Sequence, residues 1–165
     1  MKTVPCLLAA GCALALAAAG AAPAAAAPAS SDKPAAVANC ATQVEANDMM
    51  QYNVGSIAIP ASCSMFRITL KHVGKLPVTA MGHDLVIARA ADVQGIASDG
   101  MSAGAAANYL KPGDTRVIAH TKLVGGGQSD TVAVPVAKLK SGGPFAFFCS
   151  FPGHSAVMKG TITVG

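Results

Sequence analysis

Residues 144–164 read PFAFFCSFPGHSAVMKGTITV, and this stretch decides how the chain folds. Two runs rich in apolar and β-branched residues, 144–150 and 157–164, flank a short loop. Runs of this length and composition are typical of strands in a sheet. The stretch therefore predicts two strands, and the loop between them, together with the strand ends that flank it, carries a thiol, an imidazole and a thioether.

The same pattern recurs toward the N-terminus. Residues 66–71 alternate strictly between apolar and polar side chains, as expected of a strand with one buried face. Further strands are predicted at residues 42–46, 51–60, 85–90, 116–120 and 130–136. Clusters rich in Gly and Pro punctuate the domain at 73–75, 111–114, 125–127 and 141–144. This spacing predicts an all-β fold, an antiparallel sandwich or barrel.

One segment breaks the strand pattern. Residues 91–110 are rich in Ala and Met and show no alternation, so we predict one short helical insertion there, outside the sheets.

The N-terminal part of the chain differs in composition from the rest. Lys2, an apolar Ala-rich run and small residues form the pattern of a secretory signal peptide, predicted for residues 1–26. Residues 27–38 are mostly Ala, Pro and Ser, cannot bury a core and are predicted to form a tether. A single domain is predicted over residues 39–165.

Two alternatives for the leader stay open. Its apolar run approaches membrane-spanning length, although Ala makes the run weakly hydrophobic for an uncleaved anchor. Cys12 follows Leu8-Ala9-Ala10-Gly11, which partly resembles a bacterial lipoprotein processing site. A lipid on Cys12 would hold the protein at the outer membrane, whereas simple cleavage would release it into the periplasm.

Charge and cysteine content narrow the function classes. The predicted domain has ten Lys and Arg against seven Asp and Glu, without a basic stripe interleaved with aromatics, so nucleic acid binding is not indicated. Its cysteines are Cys40, Cys63 and Cys149. In an oxidising compartment Cys40 and Cys63 can form a disulfide, worth about 3 kcal/mol. Cys149 is then the spare thiol that needs an explanation.

Cys149, His154 and Met158 place three metal donors within ten residues. Thiolate and thioether favour copper, and two His and one Cys with a long axial Met form the blue-copper arrangement. His83 supplies the second imidazole, because it stands immediately before a predicted strand and a sandwich can present it at the same end. Each residue alone would be ordinary core or surface, but together they predict a copper site.

Zinc and thiol catalysis are the rival interpretations. Zinc also takes Cys and His but ignores thioethers, which would leave Met158 unexplained. A thiol hydrolase built on Cys149 and His154 lacks an evident orienting partner, and export would expose its reactive thiol to oxidation. We therefore predict a metal-binding protein that is not an enzyme.

The chain resembles the azurins, bacterial type 1 copper proteins of the cupredoxin family, over essentially the whole predicted domain. The matching segments are 47–48, 76–77, MGH at 81–83, DGM at 99–101, YLKP at 109–112, VIAHTKL at 117–123, FFC at 147–149, FPGHSA at 151–156 and MKG at 158–160. The resemblance implies a cupredoxin-like Greek-key sandwich.

The resemblance also implies one copper ion that alternates between Cu(I) and Cu(II). Its contacts would be the equatorial ligands His83, Cys149 and His154, the weak axial ligand Met158 and the distant backbone carbonyl of Gly82. Cys40 and Cys63 fall where azurins carry their disulfide. His72 resembles an azurin histidine that lies near the copper without binding it.

Three neighbours of the ligands, Asp84, Ser150 and Phe151, are predicted to tune the metal. Azurins usually have Asn at the position of Asp84, where it ties the two ligand loops together. An ionised Asp84 would favour Cu(II) and lower the reduction potential, whereas a protonated or well hydrogen-bonded one would act nearly as Asn does. Backbone N–H groups near Cys149 would stabilise its sulfur, and apolar Phe151 would exclude water.

The predicted function is transfer of single electrons between periplasmic redox partners, such as c-type cytochromes or copper and haem reductases and oxidases. His154 is predicted to be an exposed electron port inside an apolar patch for transient docking. The predicted patch residues are Met50, Leu76, Met81, Met101, Phe151, Pro152 and Ala156. The mature protein is predicted to be a monomer without a membrane span. A copper-holding or delivery protein with the same ligands is the alternative.

Overall fold

The computed structural model describes Met1 and residues 31–165, and the described residues form nine strands in two sheets. The strands are β1 (Ala41–Asn47), β2 (Gln51–Tyr52), β3 (Ser56–Ile59), β4 (Met65–His72), β5 (Val86–Arg89), β6 (Ala119–His120), β7 (Ser129–Pro135), β8 (Phe145–Phe148) and β9 (Lys159–Val164). The α-helices are α1 (Val78–Met81) and α2 (Val93–Ala103). Short 3-10 turns cover Ala90–Asp92, Ala105–Ala107, Val136–Leu139 and His154–Ala156.

The strand order confirms the predicted Greek-key sandwich. One sheet has the order β2-β1-β4-β7 and the other β3-β9-β8-β5-β6. Two strand pairs differ from the predicted antiparallel arrangement, because β1 runs parallel to β4 and β3 runs parallel to β9. Between β1 and β4 the chain crosses to the second sheet to form β3, so β4 re-enters the first sheet in the direction of β1.

Alternation along β4 shows how the sequence builds the core. Phe66, Ile68 and Leu70 are fully buried, whereas Arg67 and Lys71, which alternate with them, are exposed. Burying each such apolar side chain stabilises the fold by about 1.5–3 kcal/mol. The buried face packs into one cluster with residues of the second sheet, which joins the two layers.

Two strand predictions need correction. Residues 51–60 form the two strands β2 and β3 because the chain turns between them, where the Asn53 side chain accepts a hydrogen bond from the Glu45 N–H. Residues 116–120 contribute only β6, because a turn precedes it in which the Val117 N–H donates to the Asp114 carbonyl.

The predicted helical insertion is confirmed as α2 and its two flanking 3-10 turns. Gly100 lets the helix approach the neighbouring chain closely, since a Cβ there would lie 1.9 Å from the Tyr109 carbonyl oxygen. The Arg116 guanidinium joins Asp99 of α2 to Asp114 of the adjacent turn, at 2.7 and 2.6 Å. The Lys111 Nζ lies 3.8 Å from the same Asp99 carboxylate. We call Asp99, Lys111, Asp114 and Arg116 the ionic cluster.

The N-terminal predictions fall partly outside the described residues. The signal peptide beyond Met1, the membrane anchor and the lipid site at Cys12 lie there. Within the predicted tether, residues 31–38 form backbone hydrogen bonds with the segment before and at the start of β3, including Ala35 N–H to Ser56 O at 2.8 Å. That part of the tether is therefore attached to the domain. Among described residues, none of the helices has the length and apolar character to cross a bilayer.

The predicted disulfide is confirmed. Cys40 and Cys63 are bonded, with their Cα atoms 5.8 Å apart, and Cys149 is a free, buried thiol. The bridge joins the start of β1 to the loop before β4. Of the three cysteines in residues 31–165, the unpaired one is the predicted metal ligand.

Candidate metal centre

Antiparallel pairing of β5 and β8 brings two predicted ligands to one end of the sandwich. Val86, the first residue of β5, lies directly opposite Phe148, the last residue of β8. Residues just before β5 and just after β8 must therefore meet at the same edge. His83 and Cys149 occupy those positions, and both are fully buried.

The donor atoms of three predicted ligands converge. Ligand atoms of His83, Cys149 and His154 all lie within 4.8 Å of one another. The Cys149 Sγ is 3.9 Å from His83 Nδ1 and 3.6 Å from His154 Nδ1. Metal–nitrogen and metal–sulfur bonds of about 2.0 and 2.3 Å in a trigonal plane would separate N and S by about 3.7 Å. The spacing therefore fits one metal ion among the three donors.

Both imidazoles are held in the state that binds a metal. The His83 Nε2–H donates to the Asn47 carbonyl at 2.9 Å, since a carbonyl can only accept, and this leaves the Nδ1 lone pair on the Cys149 side. Burial, with smaller contributions from His72 and His154, lowers the pKa of His83 to about 4. Burial lowers the pKa of His154 to about 4 as well. Both rings are therefore neutral at pH 7.

The Cys149 thiol is buried between backbone donors. Burial raises the pKa of Cys149 well above its usual value, and the nearby Asp84 carboxylate raises it further. The backbone N–H groups of Asp84 and Phe151 hydrogen-bond to the sulfur and oppose this increase. A soft metal ion that replaces the thiol proton would meet a preformed sulfur environment with two N–H donors.

Met158 and Gly82 flank these three donors. Met158 is fully buried, its N–H donates to the His154 carbonyl at 2.7 Å, and its carbonyl accepts from the Cys149 N–H at 3.0 Å. The Gly82 carbonyl lies 3.9 Å from the Cys149 Sγ. A Cβ at Gly82 would lie 2.6 Å from the Val78 carbonyl oxygen, so the close approach of this backbone requires glycine.

Asp84 connects the two ligand loops. Its carboxylate accepts hydrogen bonds from the Ser150 N–H at 2.7 Å and from the Ser150 hydroxyl at 2.6 Å. Burial raises the pKa of Asp84 to about 6, although the two bonds from Ser150 work in the opposite direction. The sequence left the role of Asp84 open, and the structure gives it the bridging hydrogen bonds expected of Asn together with a charge at neutral pH.

The imidazole of His72, which is not one of the predicted ligands, packs against the His83 ring. The His72 ring packs edge-on against the His83 ring with centroids 4.5 Å apart, and its Nε2 lies 3.0 Å from an Asp48 carboxylate oxygen. Asp48 also accepts from the Lys75 and Leu76 N–H groups, and the bond from Lys75 is the main reason why the pKa of Asp48 is lowered. His72 is therefore close to the donors without joining them, as the resemblance implied.

The sequence analysis missed Tyr52. Its side chain is buried and its hydroxyl donates to the backbone carbonyl of Asp84. The available signal was a tyrosine at an inward-facing strand position, because a buried phenol needs a hydrogen-bond partner.

Part of the predicted docking patch lies together around the His154 loop. Met101, Phe151, Pro152 and Ala156 line one shallow cavity of about 180 Å³. Met50, Leu76 and Met101 are exposed, and Met101 is 56% exposed. His154 itself is only 3% exposed, so the prediction of an exposed port is wrong. The Phe151 ring packs against its imidazole with centroids 4.7 Å apart, which accounts for the burial.

The chain is similar to known copper proteins over the whole domain. A sequence profile of copper binding proteins, plastocyanin/azurin family, matches residues 38–165. Azurin-2 of Alcaligenes xylosoxydans xylosoxydans is 56% identical over 128 residues, which cover 78% of this chain and 99% of that protein. The azurin of Achromobacter denitrificans is 54% identical over 129 residues, covering 78% and 87%. The azurin of Pseudomonas aeruginosa is 50% identical over 131 residues, covering 79% and 88%.

Proposed function

This chain belongs to the plastocyanin/azurin family of copper binding proteins, and from that premise we propose that it carries single electrons through one type 1 copper ion. The observation that carries the proposal is the convergence of the His83, Cys149 and His154 donor atoms within 4.8 Å, in a buried site. We assign Met158 as the weak axial ligand and the Gly82 carbonyl as a distant contact, because both flank these donors and a thioether favours copper over zinc.

Electron transfer needs a metal site whose ligands move little, and this chain restrains each ligand separately. Bound copper supplies the change of oxidation state. The His83 backbone forms a two-way bridge with Val124, with N···O distances of 3.0 and 2.8 Å. The Asp84–Ser150 bonds fasten the His83 loop to the Cys149 loop, and the Met158 backbone bonds to both Cys149 and His154.

The route for the electron runs through the His154 end of the site. Phe151 covers the His154 ring and belongs to the apolar patch, so a partner that docks on the patch would come close to an imidazole ligand without exposing the metal to water. We propose that His154 acts as a buried port beneath this patch. The patch would serve brief contacts with redox proteins such as c-type cytochromes or copper and haem oxidoreductases, and the protein itself would be a monomer.

We place the protein in the periplasm. The Cys40–Cys63 disulfide supports an oxidising compartment, and the leader composition supports export. Lipid attachment at Cys12 remains the alternative for the mature form. We propose no enzymatic role, because Cys149 is fully buried and the nearby Asp84 carboxylate bonds to Ser150 rather than orienting His154 as a catalytic base would require.

Copper loading tests this function. Metal-free protein given one equivalent of Cu(II) should turn intensely blue, lose the colour with a mild reductant and regain it with an oxidant. A Zn(II)-loaded sample is the control and should stay colourless. A protein that binds only Cu(I) and never becomes blue would refute electron transfer and support the copper-holding alternative.

A further inference from the structure

The peptide group between Asp84 and Leu85 is hydrogen-bonded at both ends by buried hydroxyl groups. Its carbonyl, from Asp84, accepts from the Tyr52 hydroxyl, and its N–H, from Leu85, donates to the Thr121 Oγ1 at 2.9 Å. All four residues are at most 1% exposed. Water cannot replace either partner there, so both bonds depend on these two side chains.

The two hydroxyls come from different sheets. Tyr52 is the last residue of β2 in the first sheet, where it pairs with Ala46 of β1. Thr121 directly follows β6 in the second sheet, and its own N–H donates to the Leu85 carbonyl at 3.1 Å. The peptide is therefore fixed from both layers of the sandwich, immediately after the ligand His83.

The position of this peptide bears on the metal through Asp84. The Asp84 N–H hydrogen-bonds to the Cys149 sulfur, and its carboxylate receives the two bonds from Ser150. The N–H, the carboxylate and the carbonyl of Asp84 thus have separate partners, and the partner of the carbonyl is the Tyr52 hydroxyl. The carbonyl and the N–H of Asp84 belong to neighbouring peptide planes that share the Asp84 Cα. Loss of the carbonyl's partner would therefore let this Cα shift, and the N–H would be held less firmly against the sulfur.

We propose that Tyr52 and Thr121 are positioning residues that hold the peptide after Asp84 and thereby keep the Asp84 N–H on the Cys149 sulfur, which raises the copper reduction potential. An N–H donor withdraws charge from the thiolate, and hydrogen bonding at this sulfur is one of the factors that set the potential of blue copper sites. Weakening that bond favours Cu(II). This inference rests on the proposed electron-transfer function.

Four variants of the full domain test the proposal. Tyr52→Phe keeps the ring and removes the hydroxyl, and Thr121→Val keeps the shape and removes the acceptor. Thr121→Ser retains an acceptor and should restore the behaviour of the unmodified protein. Thr69→Val is the control, because the Thr69 hydroxyl bonds to Thr131 on the outer face of the first sheet, away from the ligands.

We expect Tyr52→Phe and Thr121→Val to lower the reduction potential and to shift the sulfur-to-copper absorption band. In the metal-free protein, amide hydrogen exchange at Asp84 and Leu85 should become about tenfold faster, the effect of losing one buried hydrogen bond. Thr121→Ser and Thr69→Val should leave the reduction potential, the absorption band and the exchange rates unchanged.

Lower melting temperatures with an unchanged potential and band in both Tyr52→Phe and Thr121→Val would overturn the proposal and leave only a structural role. If Tyr52→Phe does not fold, the Val and Ser variants at Thr121 decide between the two outcomes. If the copper-loaded protein is never blue, the proposed electron-transfer function is wrong. If the protein is blue but the reduction potential and the absorption band do not change in the variants, only this inference is wrong.

Discussion

Two carboxylates at different places in the sandwich show how differently this fold uses the same group. Asp84, between the ligand loops, accepts hydrogen bonds from the neutral N–H and hydroxyl of Ser150, and burial raises its pKa to about 6. Asp114, in the ionic cluster, is bonded to the Arg116 guanidinium at 2.6 and 2.8 Å, and this bond keeps its pKa below the usual value. Asp114 stabilises the position of α2, whereas Asp84 carries charge into a dry metal site.

The ligand end of the sandwich therefore carries a buried charge that costs stability, whereas the ionic cluster adds to stability. A carboxylate whose pKa is raised by folding is stabilising only when protonated, below its unfolded pKa near 3.8, and this contribution is lost as pH rises through about 6. A carboxylate whose pKa is lowered does the reverse, so Asp114 stabilises the fold above its unfolded pKa and loses this contribution in acid. Of these two carboxylates, Asp114 is the one whose ionisation stabilises the folded state at neutral pH.

Removing the thiol should have the largest effect. Cys149→Ser replaces the soft ligand, so we expect complete loss of the blue colour after Cu(II) loading, measured by visible absorption. Arg116→Lys in the ionic cluster is the comparison, because it removes the fork that joins Asp99 and Asp114 and should leave the colour intact. A Cys149→Ser protein that stays blue would refute the ligand assignment.

Metal-free protein should lose stability in acid because of the ligand imidazoles. Both His83 and His154 have pKa values lowered to about 4, below the value near 6.5 of an unfolded His. The unfolded chain therefore takes up these protons first, and stability should fall as pH decreases from about 6.5 to 4. Asp84 opposes this trend in part, since the folded state binds its proton near pH 6.

Urea titrations at pH 7 and pH 4.5 measure this fall, which we expect to be on the order of 2–4 kcal/mol for metal-free protein. Copper-loaded protein is the control, because a bound metal competes with protons at the same nitrogen atoms and should reduce the loss. Equal pH dependence in both forms would show that the imidazoles are not the ligands.

Most of the fold and of the donor set follows from sequence because those signals are local. Strict alternation in β4 and the loop from Cys149 to Met158 depend on neighbouring residues, so spacing alone reveals them. The parallel pairing of β1 with β4 depends on a crossover between sheets, which no local period records. Tyr52 and the burial of His154 were missed for the same reason: Tyr52 bonds to a backbone carbonyl 32 residues away, and His154 is covered by the Phe151 ring that packs on it.

Exchanging each carboxylate for its amide should separate the two roles directly. In Asp84→Asn the amide can still accept from the Ser150 N–H and donate to the Ser150 hydroxyl oxygen, so the bridge persists while the charge is lost. We expect the potential at pH 7 to rise by the equivalent of about 1–2 kcal/mol, the size of a nearby unit charge at moderate dielectric.

Voltammetry at pH 7 and pH 5 gives the measurement. At pH 5 the potentials of the unmodified protein and of Asp84→Asn should differ less, because the pKa of Asp84 lies near 6 and its carboxylate is then largely protonated. Asp114→Asn is the matched control and should leave the potential unchanged while lowering stability by about 1 kcal/mol. A larger shift of potential from Asp114 than from Asp84 would contradict the assignment of roles.

The smallest effect is expected at the boundary between the two regions, where α2 carries both Asp99 of the ionic cluster and Met101 of the apolar patch. Met101→Glu places a charge beside Phe151 and Pro152, which a docking partner would have to desolvate, so electron exchange should slow about five- to tenfold. Stopped-flow measurement with a c-type cytochrome reports the rate. Met65→Glu is the control, because Met65 is 45% exposed at the start of β4, away from the metal. If both variants slow exchange equally at moderate salt, general charge repulsion explains the result, and the patch around His154 has no special part in docking.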